Sequence, residues 1–145
     1  MSKDTKNRVA VLLVHPDNQT LLIGRAPNRK RGPNQWDIVG KGHIASGEDK
    51  RTTAVREVWE ESGITVHEND LRFIGKAPYT GGEINFYSCN LETEPKELVC
   101  NSFFEQNGKT YPEFVEYKWI DFESIPEYLY KSLATVLFNV LQKAA

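Results

Sequence analysis

The hydrophobic positions of this chain fall into short runs separated by polar turns, and two longer segments have helical spacing. The runs predict strands at residues 8–14, 20–23, 36–39, 71–77, 83–89 and 114–120. The first run is almost continuously apolar, which is typical of a strand covered on both faces. A turn at residues 16–18 predicts that the first two strands form a hairpin. Residues 94–112 are less regular, and there we expect one short strand near Val99.

The two segments with helical spacing lie between and after these strands. Residues 49–62 have an apolar side and are followed by Gly63, which is a typical helix stop. Residues 126–143 repeat apolar positions at helical intervals, and Pro126 suits the first turn of a helix. Strands followed by a helix, twice in succession, predict an α/β fold in which helices cover a sheet on two sides. The length of 145 residues predicts one domain that spans residues 1–145.

Composition and charge narrow the classes of function. A hydrophobic content of 39% and a charged content of 26% are typical of a soluble globular protein. The net charge of −2 gives no reason to expect a stable nucleic-acid partner or an anionic membrane surface. No apolar run approaches the ~20 residues of a membrane span, and the first residues lack the apolar core of a signal peptide. Two cysteines, Cys89 and Cys100, are too few for a disulfide scaffold, so we expect a reducing, cytoplasmic location.

The most informative feature is a pattern of glycines and charged residues that begins at Gly42 and ends at Ile64. It reads G-x5-E-x7-R-E-U-x-E-E-x-G-U, where U is a bulky aliphatic residue. On the predicted helix, Glu57, Glu60 and Glu61 are spaced at i, i+3 and i+4, so they share a face on which like charges repel. The last two also fall in the final turn, where the helix dipole disfavours anions. Oxygen ligands clustered in this way suit Mg²⁺ or Mn²⁺.

This pattern resembles the signature of the Nudix hydrolases, and it contains no substitution. The resemblance implies a Nudix-type α/β/α sandwich with a mixed β-sheet. It also implies hydrolysis of a nucleoside diphosphate linked to another group, with Mg²⁺ or Mn²⁺ as cofactor. Glu57, Glu60 and Glu61 correspond to the metal ligands of the family, and in some relatives the first of them is also the general base. A backbone oxygen at Gly42 or its neighbour Lys41 is implied as a further ligand.

Other acidic and basic residues have supporting roles in this interpretation. We expect Arg56 to orient one of the first two glutamates of the cluster, and Glu48 to hold the loop before the helix through hydrogen bonds. In the family a fourth acid from elsewhere in the chain often joins the site as ligand or base. Glu113, which lies six residues before Trp119, and Glu116, in the predicted strand, are the two candidates. For each of them a solvated surface position is the alternative.

Other residues are candidates for binding the substrate. Arg25 directly follows a predicted strand and is placed to grip a polyphosphate, whereas the basic run of residues 29–31 is of a kind that is usually solvated. The candidates for stacking on a nucleobase are the aromatic residues Tyr79, Phe86, Phe103, Phe104 and Tyr111, for which strand or core packing is the alternative. Packing explains Phe103-Phe104, in the irregular segment, least easily, and Phe103 is the candidate that we select.

The residues that flank the first glycine of the pattern also resemble a subgroup of the family. Lys41-Gly42-His43 is similar to the Lys-Gly-His string of the dinucleoside polyphosphate hydrolases, which makes Lys41 and His43 candidate substrate contacts. The match departs from that subgroup in two places. Trp36 lies six residues before the glycine instead of five, and Val39-Gly40 stands where a proline is expected.

The leading hypothesis is a Mg²⁺- or Mn²⁺-dependent pyrophosphohydrolase that acts on a small-molecule nucleotide. Its substrate class stays open between a dinucleoside polyphosphate, ADP-ribose or another nucleoside diphosphate sugar, and a (deoxy)nucleoside triphosphate; the Lys-Gly-His string favours the first. A different class is a nucleotide-sensing module with the same fold that does not hydrolyse its ligand. Such modules usually lack one of the motif carboxylates, and none is missing here. Many members of the family dimerise, so a homodimer also stays open.

Overall fold

The computed structural model describes residues 3–27 and 35–144, so the basic run at residues 29–31 lies outside the described residues. The strands are β1 (Lys3–Val14), β2 (Leu21–Ala26), β3 (Gln35–Ile38), β4 (Lys41–Ala45), β5 (Arg72–Tyr79), β6 (Gly82–Asn90), β7 (Phe103–Gln106), β8 (Lys109–Pro112) and β9 (Glu116–Ile120). The helices are α1 (Lys50–Ser62), α2 (Ile125–Tyr128) and α3 (Lys131–Ala144), with 3₁₀ turns at Glu68–Asp70 and Phe122–Ser124. Within these ranges no helix has both the length and the apolar character that crossing a membrane requires.

The main sheet is mixed, as the sequence predicts. Strand β1 runs parallel to β6, and β6 pairs with β5 in the antiparallel sense. Strand β2 pairs antiparallel with β3 and with β9, and the end of β1 joins β2 in the predicted hairpin. Strands β7 and β8 form a separate two-stranded sheet.

The pairing of β1 changes partner along its length, and this divides the main sheet. Near its end Val14 pairs with Leu21 of β2, whereas Ala10 and Arg8 pair with Lys41 and His43 of β4. One subsheet therefore contains β2, β3 and β9, which we call the β2 subsheet. The other contains β1, β4, β5 and β6, which we call the β1 subsheet. A cleft opens where the two subsheets diverge.

Hydrophobic clusters on both faces of the sheet complete the layers. Alternate residues of β1 pack with Ala54 and Val58 of α1 on one face, and the intervening residues pack with Leu133 and Leu137 of α3 on the other. This alternation is the period-two pattern of a strand buried on both sides. The arrangement confirms the predicted α/β/α sandwich, in which helices cover a mixed sheet on two faces.

The irregular segment differs from its prediction. No strand forms near Val99; instead β7 and β8 pair as a hairpin through Asn107-Gly108, where both residues have positive φ, 55° and 78°. Asn-Gly between two short strands is the strongest local signal for such a turn. The signal was present in the sequence, and the prediction of a strand near Val99 was wrong because it gave more weight to apolar residues than to turn residues.

Two other elements also differ from the sequence-based predictions. Strand β4 was not predicted, because its residues are stabilised by pairing with β1 and have no strand pattern of their own. The predicted C-terminal helix is broken: α2 ends at Tyr128, and Leu129 takes an extended conformation with ψ 158°. Leu129 is buried in the cluster on the α3 face, so the break lets its side chain fill the core before α3 begins.

Candidate active site

Helix α1 begins and ends where its local sequence directs. The Asp49 side chain accepts a hydrogen bond from the Arg51 backbone N–H at 3.1 Å, as an N-cap residue does. Gly63 closes the helix in the left-handed conformation with φ 78°, and its N–H donates to the Trp59 carbonyl at 2.8 Å. These ends place the glutamates of the motif in the last two turns, where α1 packs on β4.

Glu61 is buried and binds the start of β4. Its side chain is 2% exposed, and its Oε1 accepts hydrogen bonds from the backbone N–H groups of Gly40 at 2.8 Å and Lys41 at 3.2 Å. An N–H donor stabilises an ionised carboxylate, so these two bonds offset part of the cost of burial. They also fix the carboxyl group at the point where the chain enters β4.

Glu57 lies one helical turn earlier and covers Gly42. A Cβ atom built on Gly42 would lie 2.2 Å from the Glu57 carboxyl carbon, closer than real side chains approach. The first glycine of the motif is therefore required by the position of this carboxyl group. It is not required by backbone strain, because Gly42 is not among the glycines with positive φ.

The environment of the two buried glutamates disfavours a negative charge on both. Burial raises the pKa of Glu57, and the charges of Glu60 and Glu113 add to this, whereas Arg56 and a hydrogen bond with Glu61 oppose it. Burial also raises the pKa of Glu61 well above its ordinary value, reinforced by Glu113 and Glu57. Neighbouring carboxyl groups in a buried site cannot both ionise cheaply unless a cation joins them. The arrangement thus favours binding of a proton or of a hard cation.

Arg56 and Glu48 hold this region together, as the sequence predicts for their contacts. Arg56 donates to both Glu48 oxygens at 2.8 and 3.0 Å, to Glu57 Oε1 at 2.9 Å and to Glu60 at 3.2 Å. Glu48 also accepts from the Thr53 hydroxyl at 2.6 Å. The guanidinium therefore orients two motif glutamates and joins the loop to the helix.

We expect Glu48→Gln to destabilise the fold by about 1–3 kcal/mol at neutral pH, because it removes a charge-assisted double hydrogen bond. The hydrogen bond from Arg56 is the main cause that lowers the pKa of Glu48 from 4.5 to about 2. A lowered folded-state pKa gives stability that is present above the unfolded value and is lost as pH falls through the folded value. The difference between variant and wild type should therefore shrink between pH 4.5 and about 2.

The measurement is urea unfolding of both proteins across that range. Glu92→Gln, an exposed glutamate, is the matched control and should follow the wild type at every pH. A constant difference between Glu48→Gln and the wild type down to the most acidic pH would contradict this role of Glu48.

The structure separates Glu60 from the other two motif glutamates. Its side chain is 30% exposed and turns towards Arg56, which lies one helical turn before it. Among the described residues, no group of three or more His, Cys, Asp or Glu side chains stands close enough to hold a metal ion as arranged. The residues present nevertheless fit a hard divalent cation by their chemistry. Glu57 and Glu61 provide two buried carboxyl groups, Glu60 provides a third that is partly exposed, and the missing side chain of Gly42 lets the Glu57 carboxyl group approach the backbone.

The two candidates for a fourth acid are placed differently. The negative charge of Glu113 contributes to raising the pKa of both Glu57 and Glu61. Glu116 is exposed and accepts a hydrogen bond from Arg25 at 2.6 Å. Of the two, Glu113 is the one whose charge acts on the buried motif glutamates.

A cavity of about 510 Å³ lies in the cleft between the two subsheets. Lys41 and His43 of β4 contribute to its wall, together with Arg8, Tyr79, Phe104 and Phe114. Lys41 forms an ion pair with Asp37 at 3.2 Å. Burial alone would lower the pKa of Lys41, but Asp37, Tyr79 and Glu61 outweigh burial and raise it. Gly42 between Lys41 and His43 faces Glu57, so one short strand has the buried carboxylates on one face and the cavity on the other.

Two sequence-predicted substrate residues lie elsewhere. Arg25 binds Glu116 and is not among the residues that line the cavity. Phe103 is 59% exposed, whereas its neighbour Phe104 lines the cavity, because successive residues of β7 face opposite sides. The arginine of the cavity is Arg8, the first residue of the first predicted strand. Its guanidinium lies over the Tyr79 ring, 5.4 Å from the ring centroid. The sequence feature that could have identified it as a cavity residue is a basic residue at the polar end of an apolar run.

Comparison with known proteins gives consistent results. A sequence profile of the NUDIX domain matches residues 4–142. The chain is 28% identical over 137 residues to the RNA pyrophosphohydrolase of Pelagibacter ubique, covering 84% of this chain and 80% of that protein. The structure of the Escherichia coli dihydroneopterin triphosphate pyrophosphohydrolase aligns with a TM-score of 0.67 at 20% identity, covering 98% of this chain and 96% of that one. A binary complex of a Caenorhabditis elegans Ap4A hydrolase aligns with a TM-score of 0.66 at 19% identity, covering 93% and 96%. The two structural likenesses establish the fold.

Proposed function

This chain belongs to the NUDIX family of pyrophosphohydrolases, and we propose that residues 1–145 form one domain that hydrolyses a phosphoanhydride bond of a nucleotide, with Mg²⁺ or Mn²⁺ as cofactor. The observation that carries the proposal is that β4 contacts the buried carboxyl groups and also lines the cavity. The buried Glu57 meets this strand at Gly42, and the buried Glu61 binds the N–H groups of Lys41, its first residue, and of Gly40 just before it. Lys41 and His43 of the same strand line the cavity. The residues that would hold the cation and those that would bind the nucleotide therefore lie on opposite faces of one strand. The proposal requires the phosphates to reach the cation past the edge of β4, which among the described strands pairs with β1.

Glu57 and Glu61 would hold the cation, with Glu60 and the backbone oxygen of Gly42 as further ligands. When bound, the cation supplies positive charge against the phosphate oxygens and favours the ionisation of water. Arg56 keeps Glu57 and Glu60 in position through its hydrogen bonds to both. In this proposal the motif glutamates bind the cation, and Arg56 positions two of them.

Glu113 is the proposed acceptor of the proton from the attacking water. Its support is its charge, which contributes to raising the pKa of both buried glutamates, and it belongs to a different segment of the chain. Glu57 is the alternative, because the resemblance to the family allows its first motif glutamate that role. Its hydrogen bonds to Arg56 and Glu61 favour a ligand role instead.

The cavity supports a nucleotide as the substrate. A volume of about 510 Å³ is typical of small-molecule sites. Arg8 and Lys41 supply positive charge for phosphate oxygens, and the rings of Tyr79 and Phe104 supply surfaces on which a base can stack. Within this class we propose a dinucleoside polyphosphate, which the Lys-Gly-His string favours. The 5′ end of a triphosphorylated RNA is the second candidate, because a relative of 28% identity is an RNA pyrophosphohydrolase.

A substrate panel tests the proposed function. It contains a dinucleoside tetraphosphate, ADP-ribose, a deoxynucleoside triphosphate and a 5′-triphosphorylated oligoribonucleotide, each incubated with Mg²⁺, Mn²⁺ or chelator. We expect cleavage of a phosphoanhydride bond with either cation, and none with chelator, because the buried carboxyl groups do not bind a phosphate without a cation. The product pair from chromatography identifies the phosphorus attacked.

Two outcomes would contradict the proposal. Equal turnover with and without chelator would exclude the cation from the reaction. Tight binding of a panel nucleotide without turnover under any condition would favour the sensing module over the hydrolase.

A further inference from the structure

The C-terminal end of α1 is enclosed by hydrogen-bond donors that have no part in the chemistry described above. The last carbonyl groups of a helix lack partners within the helix. Here the Asn101 N–H donates to the Glu60 carbonyl at 2.6 Å and the Val99 N–H donates to the Ser62 carbonyl at 2.9 Å. The Tyr117 hydroxyl donates to the Glu61 carbonyl. The turn that carries the motif carboxylates is therefore fixed from its backbone side.

These donors also act on the charge of that turn. The last turn of α1 contains no basic side chain, yet it carries Glu60 and Glu61 at the negative end of the helix dipole. N–H and O–H donors at the carbonyls place partial positive charge there.

Tyr117 differs from the other donors because it comes from the opposite side of the cleft. Val99 and Asn101 belong to the loop that runs past the helix end. Tyr117 lies on β9, where it pairs with Gly24 of β2, so its hydroxyl joins the β2 subsheet to α1. The Glu61 carboxylate binds the backbone at the start of β4, in the β1 subsheet. One residue is thus bound to both walls of the cleft, by its carbonyl on one side and its carboxylate on the other.

We propose that Tyr117 is a positioning residue, whose hydroxyl fixes the turn that carries Glu61, and through the Glu61 carboxylate the start of β4, relative to the β2 subsheet. The proposal rests on the proposed function, since the position of this turn determines where the phosphates meet the carboxyl groups. Without the hydroxyl, the Glu61 carbonyl loses its only bond to the β2 subsheet among the described residues. The turn then moves relative to the cavity, and the Glu61 contacts with Gly40 and Lys41 weaken.

Tyr117→Phe tests this with a readout that does not depend on catalysis. The substitution removes one oxygen atom and keeps the ring that packs beside Phe114. We expect the amide protons of Gly40 and Lys41 to exchange with solvent about tenfold faster, because the carboxylate that they bind is less firmly held. Amides in the middle of β6 should exchange at the wild-type rate. Tyr128→Phe, which alters a half-buried tyrosine on α2, is the matched control and should leave Gly40 and Lys41 unchanged.

Steady-state kinetics give the second readout. Misplacing a catalytic turn lowers turnover more than substrate affinity, so kcat should fall by about tenfold while KM changes by less than about twofold. Wild-type exchange at Gly40 and Lys41 in Tyr117→Phe would overturn the proposal, and so would a uniform acceleration that includes β6. If the wild type hydrolyses no nucleotide of the panel, the proposed function has failed, and the exchange comparison still decides the role of Tyr117.

Discussion

Glu57→Gln is expected to lower turnover by about a hundredfold to ten-thousandfold and to leave the fold intact. The amide has nearly the shape of the carboxyl group, and its oxygen can still accept the hydrogen bond from Arg56. It cannot supply the negative charge that a cation requires at this position. Because burial raises the pKa of Glu57, keeping it ionised at neutral pH costs stability. The chelator-treated variant should therefore melt at or above the temperature of the wild type, which is a common trade between stability and activity.

The measurement combines turnover with thermal unfolding in the presence of chelator. Glu127→Gln, an exposed glutamate of α2, is the matched control and should behave as the wild type in both assays. Turnover within a few-fold of wild type in Glu57→Gln would show that this carboxylate is not a ligand. A large drop in melting temperature would show instead that the charge has a structural role.

Gly42→Ala is expected to have the second largest effect, a loss of turnover of about ten- to a hundredfold. The added methyl group would lie 2.2 to 2.5 Å from the atoms of the Glu57 carboxyl group, so that group must move. The backbone at Gly42 is not in the left-handed region, so alanine causes no strain of its own. A displacement of about 1 Å in a catalytic group can cost about a hundredfold in rate.

Gly47→Ala is expected to have the opposite effects on turnover and stability. At Gly47 an added Cβ meets nothing within 4 Å, but φ is +79°, which disfavours alanine. That variant should lose about 1 kcal/mol of stability and keep its turnover. In a double-mutant cycle, Gly42→Ala should add little to Glu57→Gln, because both act through the same carboxylate. Full activity of Gly42→Ala, or additive losses in the cycle, would contradict the contact between Gly42 and Glu57.

The sequence predicted the features that depend on neighbours along the chain. Helix α1 begins one residue after its predicted start and ends at Ser62, since Asp49 and Gly63 are local signals. The contacts of Arg56 with the motif glutamates follow from helical spacing, so they too could be predicted.

Features that depend on pairing between strands far apart in the sequence could not be predicted from local sequence patterns. The cleft forms because β1 pairs with β2 at its end and with β4 over an earlier part of its length, and no local sequence pattern predicts this change of partner. Arg25 faces Glu116 across a pair of strands 91 residues apart, which removes it from the cavity. The choice between Phe103 and Phe104 depends on the register of the β7–β8 hairpin, where one residue changes the face.

The central claim is that Glu57 and Glu61 hold a divalent cation at the cleft. Anomalous scattering from crystals supplied with Mn²⁺ and a slowly hydrolysed nucleotide analogue tests it most directly. We expect a manganese peak within direct coordination distance of both carboxylates, on the side of β4 that carries Gly42, with the phosphates of the analogue in contact with it. A manganese peak away from these two side chains, or no peak at a millimolar supply of the ion while the analogue is bound, would contradict the claim.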